Sequence, residues 1–163
     1  MPSTYTPIAT TTLGSATPTV TFSSISGTYT DLILVFTGSN ATSNNGLRLR
    51  FNSDSGTNYS STYVYGNGSS AASSVGANTT GGQIAVDINS TQATSIAHIM
   101  NYSNTTTYKT FLGRGSSSGT YADANVSLWR NTAAITSVTV LLGGGTSNFS
   151  VGSTFTLYGV KSA

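Results

Sequence analysis

Along most of this chain, apolar side chains alternate with hydroxyl-bearing ones at a period of two. That is the period at which successive side chains of a β-strand face opposite sides of a sheet. Val20 and Phe22 alternate with Thr19, Thr21 and Ser23, and Leu47, Leu49 and Phe51 with Arg48, Arg50 and Asn52. Ile84, Val86 and Ile88 alternate with Gln83, Ala85 and Asp87. Each pattern predicts a strand with one covered and one open face. Residues 32–36 (LILVF) form an unbroken apolar run instead, which predicts a central strand covered on both faces. Further strands are predicted around 63–65, over 95–102 and 108–114 as a hairpin across 103–107, and over 124–129, 135–142 and 154–160. Helical periodicity is not evident.

Turn formers punctuate these runs. GSNATSNNG (38–46), NSDSGTN (52–58), residues 115–119 and the triple glycine 143–145 read as turns and loops. Residues 66–82 contain only Gly, Ser, Ala, Thr and Asn besides Val75, and predict a mobile surface loop. Residues 1–16, with Pro2 and Pro7, read as an extended arm whose apolar points, Tyr5 and Ile8, anchor it to a partner. The alternative for this segment is an edge strand beginning near Thr10. Short strands with turn signals every ~8–15 residues predict a β-sandwich or barrel. The long connections favour a jelly roll: an all-β, single-domain jelly-roll β-sandwich of about eight to ten antiparallel strands, spanning 17–163 and preceded by the arm 1–16.

Composition narrows the function classes. Without cysteine there is no disulfide framework. A hydrophobic share of 37% is low enough to expect neighbouring subunits to complete the burial. Charged residues make up only 6%, and the six Lys and Arg, at 48, 50, 109, 114, 130 and 161, lie far apart, so no phosphate-neutralising cluster forms and nucleic acid is not an expected partner. No apolar run approaches the ~18 residues of a membrane span, and no basic stretch followed by an apolar one marks a signal peptide.

Candidate chemistry is sparse. His98, the sole histidine, lies in SIAHIMNY and reads as a packed, hydrogen-bonded side chain sharing a strand face with Ile96, Met100 and Tyr102; no cysteine or nearby carboxylate makes it a ligand or triad member. The aspartates, Asp31, Asp54, Asp87 and Asp123, are isolated, whereas glycoside hydrolysis needs two convergent carboxylates. Asp31 is expected to pair an arginine such as Arg50, and Asp54 to close an Asx turn. A calcium loop beginning at Asn52 fails because Tyr63 stands where a carboxylate is required. The Asn-x-Ser/Thr sequons, Asn40, Asn58, Asn89 and Asn104 among them, arise readily in so hydroxyl-rich a chain, and no glycine-rich loop carries a lysine to cradle phosphate. Accordingly no catalytic residue, metal or cofactor is expected. Tyr59, Tyr63, Tyr65, Tyr102 and Tyr108 fall near strand ends and loops; as exposed aromatics they suit interfaces, or alternatively sugar platforms. With Tyr5 and Ile8, the expected interface set is Tyr63, Tyr65, Tyr102 and Tyr108.

Several segments together resemble a family of tailed-bacteriophage virion proteins, common in phages of cyanobacteria and other aquatic bacteria. They are YTPIATTTLGS (5–15), TFSSISGTYTDLILV (21–35), LRLRFNSDSGTNYSSTYVYGNGSS (47–70), LWRNTAAITSVTV (128–140) and FSVGSTFTLYGV (149–160), with weaker likeness over 71–121. The resemblance implies a jelly-roll module that assembles as a homotrimer and does no chemistry. A short free-standing module of this kind resembles a capsid cement (decoration) protein clamping major capsid protein subunits on the virion surface, with its arm or C-terminal end reaching a neighbour. The alternative is a head- or tail-fibre module that binds host glycans. The shared motifs read as fold determinants, with Asp31, Arg50 and Asp54 beside Trp129, Arg130 and Asn131. Trp129 is expected to seal the sandwich, Arg130 to bond loop carbonyls, and Gly152 and Gly159 to serve a turn and a close approach.

Overall fold

In the computed structural model, which describes residues 4–42, 44–143 and 145–161, period-two patterning becomes twelve strands. The first six are β1 (Tyr5–Thr12), β2 (Thr19–Phe22), β3 (Asp31–Gly38), β4 (Asn45–Phe51), β5 (Tyr59–Gly66) and β6 (Ala71–Thr79). Then come β7 (Gly82–Ile88), β8 (Ala93–Ile99), β9 (Lys109–Ser117), β10 (Tyr121–Trp129), β11 (Val138–Leu142) and β12 (Thr154–Val160). They form a β-sandwich with a four-stranded sheet, β2-β11-β4-β7, and an eight-stranded sheet, β1-β12-β3-β8-β9-β10-β5-β6.

The antiparallel pairs β2–β11, β3–β8, β4–β7 and β5–β6 lie alternately in the small and the large sheet. A ribbon running out through β2 to β5 and back through β6, β7, β8 and β11 has been rolled so that successive pairs land on opposite layers. This is jelly-roll connectivity. The hairpin β9–β10 is inserted between β8 and β5, and the pair β12–β1 is added beyond β3. These additions widen only the large sheet. The strands beyond those the sequence predicts are β1 and β6, since segments 108–114, 124–129 and 154–160 already read as strands.

Two aromatic clusters fill the space between the sheets. Phe36, Phe149 and Phe155 pack with ring centroids 4.8–5.6 Å apart. Phe51 meets Phe111 edge-on at 5.0 Å and Trp129 at 5.5 Å, while Tyr59 stacks on Trp129. Trp129 is buried and seals its end of the sandwich, as the sequence suggested.

Hydroxyls also work inside. Strand β7 is an edge of the small sheet, and its unpaired backbone groups are met by side chains from the inner face of the large one. Gln83 N–H donates to Ser61 Oγ at 2.9 Å, and the Ser127 hydroxyl lies 2.8 Å from Gln83 O. Val86 N–H donates to Asp123 Oδ2 at 2.9 Å, and Ser95 Oγ donates to Ile84 O at 3.1 Å. Buried backbone polar groups need such partners. Serines at inward positions of hydroxyl-rich strands supply them. The approach is close enough that a Cβ on Gly113 would meet the Ile84 backbone.

Several expectations are corrected. The LILVF strand is fully buried on one face only: Leu32, Leu34 and Phe36 point into the core, while Ile33 and Val35 are half-buried on the outer face. The segment read as an arm is a strand of its own domain, β1, antiparallel to β12 from Tyr5↔Val160 to Thr12↔Thr154, and Ile8 packs on the core. Pro2 lies outside the described residues. The segment read as a mobile loop contains β6, paired with β5 over nearly its whole length. Strand pairing is made by backbone hydrogen bonds, so side chains too small to signal burial do not prevent it.

Candidate interaction surface

Strand register decides which side chains share the outer face of the large sheet. One cross-strand row reads Tyr158, Ile33, His98, Leu112, Val126, Thr62 and Val75. Its neighbour reads Thr156, Val35, Ile96, Arg114, Ala124, Val64 and Ser73. The next row is hydroxyl-rich: Thr154, Thr37, Thr94, Ser116, Ala122 and Gly66. An apolar stripe with Arg114 in it thus crosses the sheet, bordered by threonines. Leu112, Val126 and Val64 are 40%, 52% and 56% exposed. A groove of about 570 Å³ lies over the stripe, lined by Ile33, Ile96, His98, Leu112 and Val126, with Tyr5 also contributing. Contiguous exposed apolar patches are the kind of surface through which proteins meet other surfaces.

At the groove's polar end His98 Nε2 lies 2.9 Å from Asp31 Oδ2, and Asp31 Oδ1 accepts the Asn101 N–H at 2.6 Å. This corrects two expectations: Asp31 pairs His98 rather than Arg50, and His98 does have a carboxylate beside it. The two are distant in sequence, but β3 and β8 are adjacent. Arg50 instead donates through Nε to Thr80 O at 2.6 Å.

The remaining singled-out residues divide between surface and interior. Tyr5 and Tyr108 are exposed, at 55% and 54%. Tyr63 and Tyr65 are half-buried and form a chain of rings with Tyr121, with centroids 6.3 and 5.7 Å apart. They share the inward parity of Tyr59 and so lie on the other side of the sheet from the apolar stripe. Tyr59 and Tyr102, expected at the surface, are fully buried. The Tyr59 hydroxyl accepts the Phe51 N–H, and Tyr102 donates to Ser26 O; these bonds let the rings serve the core. Tyr102 therefore does not share the outer face with His98. Asp54 closes the expected Asx turn, accepting the Gly56 N–H at 2.9 Å. Arg130 donates to Thr57 O at 2.7 Å, and Asn131 Oδ1 accepts the Ala133 N–H at 2.9 Å.

Sequence reading missed Leu112, Val126 and Val64 as surface residues because each sits in a strand whose other parity supplies the core. The available signal was apolar residues on both parities: Phe111 beside Leu112, and Val126 and Leu128 on one parity with Trp129 on the other.

Two carboxylates lie in the seam between the sheets. Burial pushes the Asp123 carboxyl up, against the lowering effect of bonds from Val86, Asn125 and Gly115. Burial and the neighbouring Asp123 charge push Asp87 up, and Asp87 Oδ2 is buried without a hydrogen-bond partner. Because both folded values exceed 3.8, their contribution to stability is full below about pH 4 and is lost as pH rises through the folded values. In Asp87→Asn, the thermal midpoint is therefore expected to decline less from pH 4 to 8 than in the wild type. Equal slopes would refute this origin. Among the described residues no group of three or more His, Cys, Asp or Glu is placed to hold a metal ion.

Compared with known proteins, the chain matches no family model and no curated sequence.

Proposed function

We propose that this chain is a non-enzymatic structural protein of a bacteriophage virion: a homotrimeric decoration (cement) protein that seats the outer face of its large sheet on major capsid protein subunits and stabilises the shell. The observation that carries the reading is the apolar stripe of Ile33, Ile96, Leu112, Val126 and Val64, open to solvent and crossed by few charges. A rigid sheet presents such a stripe without ordering loops on contact, which lowers the entropic cost of association. Few of its contacts depend on charge, so docking is insensitive to salt. The family resemblance of the segments around Trp129 and at 149–160 supports the virion setting and the three-fold assembly.

The test is co-sedimentation of the purified protein with phage heads that lack it. The wild-type protein is expected to bind at copy numbers comparable to the coat protein, with little change between 0.1 and ~1 M salt. Leu112→Lys/Val126→Lys is expected to reduce binding at least ~10-fold while leaving the thermal midpoint near wild type, because both side chains are exposed. Binding that survives the double substitution, or that vanishes in high salt, would overturn the reading.

A second reading has an observation of its own. The chain of rings Tyr63, Tyr65 and Tyr121 offers stacking faces of the kind sugars use, which favours a fibre or tip module for host glycans. Glycan-array binding by the wild-type protein that is lost in Tyr65→Ala would establish it.

A further inference from the structure

A sheet edge is a row of unpaired N–H and C=O groups that will pair with any suitable strand unless it is blunted. Three of the four edges here are blunted. Strand β1 carries Pro7 and a register shift between Pro7 and Ala9. Strand β2 is only four residues long. Strand β7 is covered by Ser61, Ser127 and Asp123 from the facing sheet.

The fourth edge, β6, is open. It is nine residues long and mostly exposed, contains no charge and no proline, and pairs in regular register with β5 from Ala71 to Gly76. Its register shift, with Asn78 at φ 55°, is confined to the end beyond Gly76, whereas Pro7 of β1 removes an N–H outright. Its side chains are Ala, Ser, Gly, Asn and Thr, too small to obstruct a neighbour, apart from Val75 at its centre. At 69%, Val75 is the most exposed of the large apolar side chains among the described residues.

We infer that β6 pairs antiparallel with β6 of a second copy, about a two-fold axis at Val75. A second copy fits this edge because identical uncharged strands meet without like-charge repulsion. It also brings the one side chain that covers Val75 without leaving a new exposed group: another Val75. Centring the register there puts the two valines side by side on the outer face, a favourable cross-strand pair. It also joins the row Val126–Thr62–Val75 of one copy to the same row of the other. The contact is isologous, so each residue and its opposite exchange roles. It therefore unites chains in even numbers: two, or six if the three-fold assembly proposed above also forms. The inference concerns an edge rather than the docking face and does not depend on what that face binds.

Solution mass measured by light scattering tests it. The wild-type particle is expected to contain an even number of chains, and Val75→Lys to halve its mass, because the register sets two lysines against each other. Val75→Glu should do the same, and an equimolar mixture of the two variants should restore the full mass. Leu112→Lys is expected to keep the wild-type mass. Amide exchange over 72–77 should quicken in Val75→Lys without a change in thermal unfolding of the core. A wild-type particle of one or three chains, a Val75→Lys particle of unchanged mass, or no recovery on mixing would overturn the inference. Loss of head binding with unchanged mass, as expected for Leu112→Lys/Val126→Lys, separates this edge from the docking face.

Discussion

Replacing Gly113 by alanine is expected to separate the two sheets and cost more than about 3 kcal/mol, a large share of the roughly 5–15 kcal/mol that holds a domain folded. Gly113 lies on β9 where the Ile84 backbone of β7 crosses it, and an added Cβ would fall 2.5 Å from Ile84 Cα and closer still to its carbonyl oxygen. Overpacking against side chains typically costs about 1–3 kcal/mol because a rotamer yields. Here the obstacle is main chain, and it is pinned. Gln83 and Val86 are bonded to Ser61 and Asp123, so moving β7 away breaks bonds worth about 1 kcal/mol each. A chain of this length should lose at least ~8 °C of thermal midpoint. Gly14→Ala serves as the control, since nothing lies within 4 Å of its Cβ position, and should be close to neutral. A Gly113→Ala protein within ~2 °C of wild type would show that the sheets do not meet there.

Trp129→Ala is the second large effect, expected at about 3–5 kcal/mol. The indole is 1% exposed, stacks on Tyr59 at 6.2 Å and donates its N–H to Asp54 Oδ2 at 2.7 Å. Truncation opens a cavity between two rings and strips a hydrogen bond from the carboxylate that shapes the 52–58 turn. Trp129→Phe separates the two losses. It keeps most of the ring packing and removes the N–H, so it should cost less than the alanine variant, about 1.5–3 kcal/mol for a bond to a charged group.

Its pH dependence has a definite sign. Burial pushes the Asp54 carboxyl up, but the bonds from Trp129, Asn58 and Gly56, with the charge of Arg50, outweigh it and hold it below 3.8. A lowered carboxyl contributes stability above its unfolded value and loses it as pH falls through the folded one. The gap between wild type and Trp129→Phe in urea midpoints should therefore be widest near neutrality and narrow below about pH 4. A gap that stays constant or widens in acid would mean that the indole bond is not what lowers Asp54.

How much was legible depended on the range of the interaction. Strands β4 and β12 could be read from alternation because each has one buried and one open face, as at Leu47, Leu49 and Phe51. The Asx turn at Asp54 and the burial of Trp129 were legible because they need only a local motif or a large apolar ring. Strand β6 was not, since it is held by backbone bonds to β5 and carries almost no burial signal. Tyr59 and Tyr102 were misplaced because their hydroxyls find partners inside, which no local pattern encodes. The contact of His98 with Asp31 joins residues 67 positions apart, and it exists only because β3 lies beside β8.

The candidate surface shows the same division. The alternation of apolar and hydroxylated positions determined that this chain makes sheets, that they stack, and that Val20, Phe22, Leu47, Leu49 and Phe51 line the core. It also made polar seams possible, because serine at an inward position can bond a crossing backbone. Only the tertiary arrangement decided that eight strands lie side by side in one layer. With that order, Leu112 and Val126 stand directly opposite each other at the ~4.5–5.5 Å spacing of a cross-strand pair, and Val64 lies on the diagonal from Val126 at about 7–8 Å. Alternation within a strand is local, whereas strand order and register are set by long-range pairing, so residues far apart in the chain became one surface only through the jelly roll.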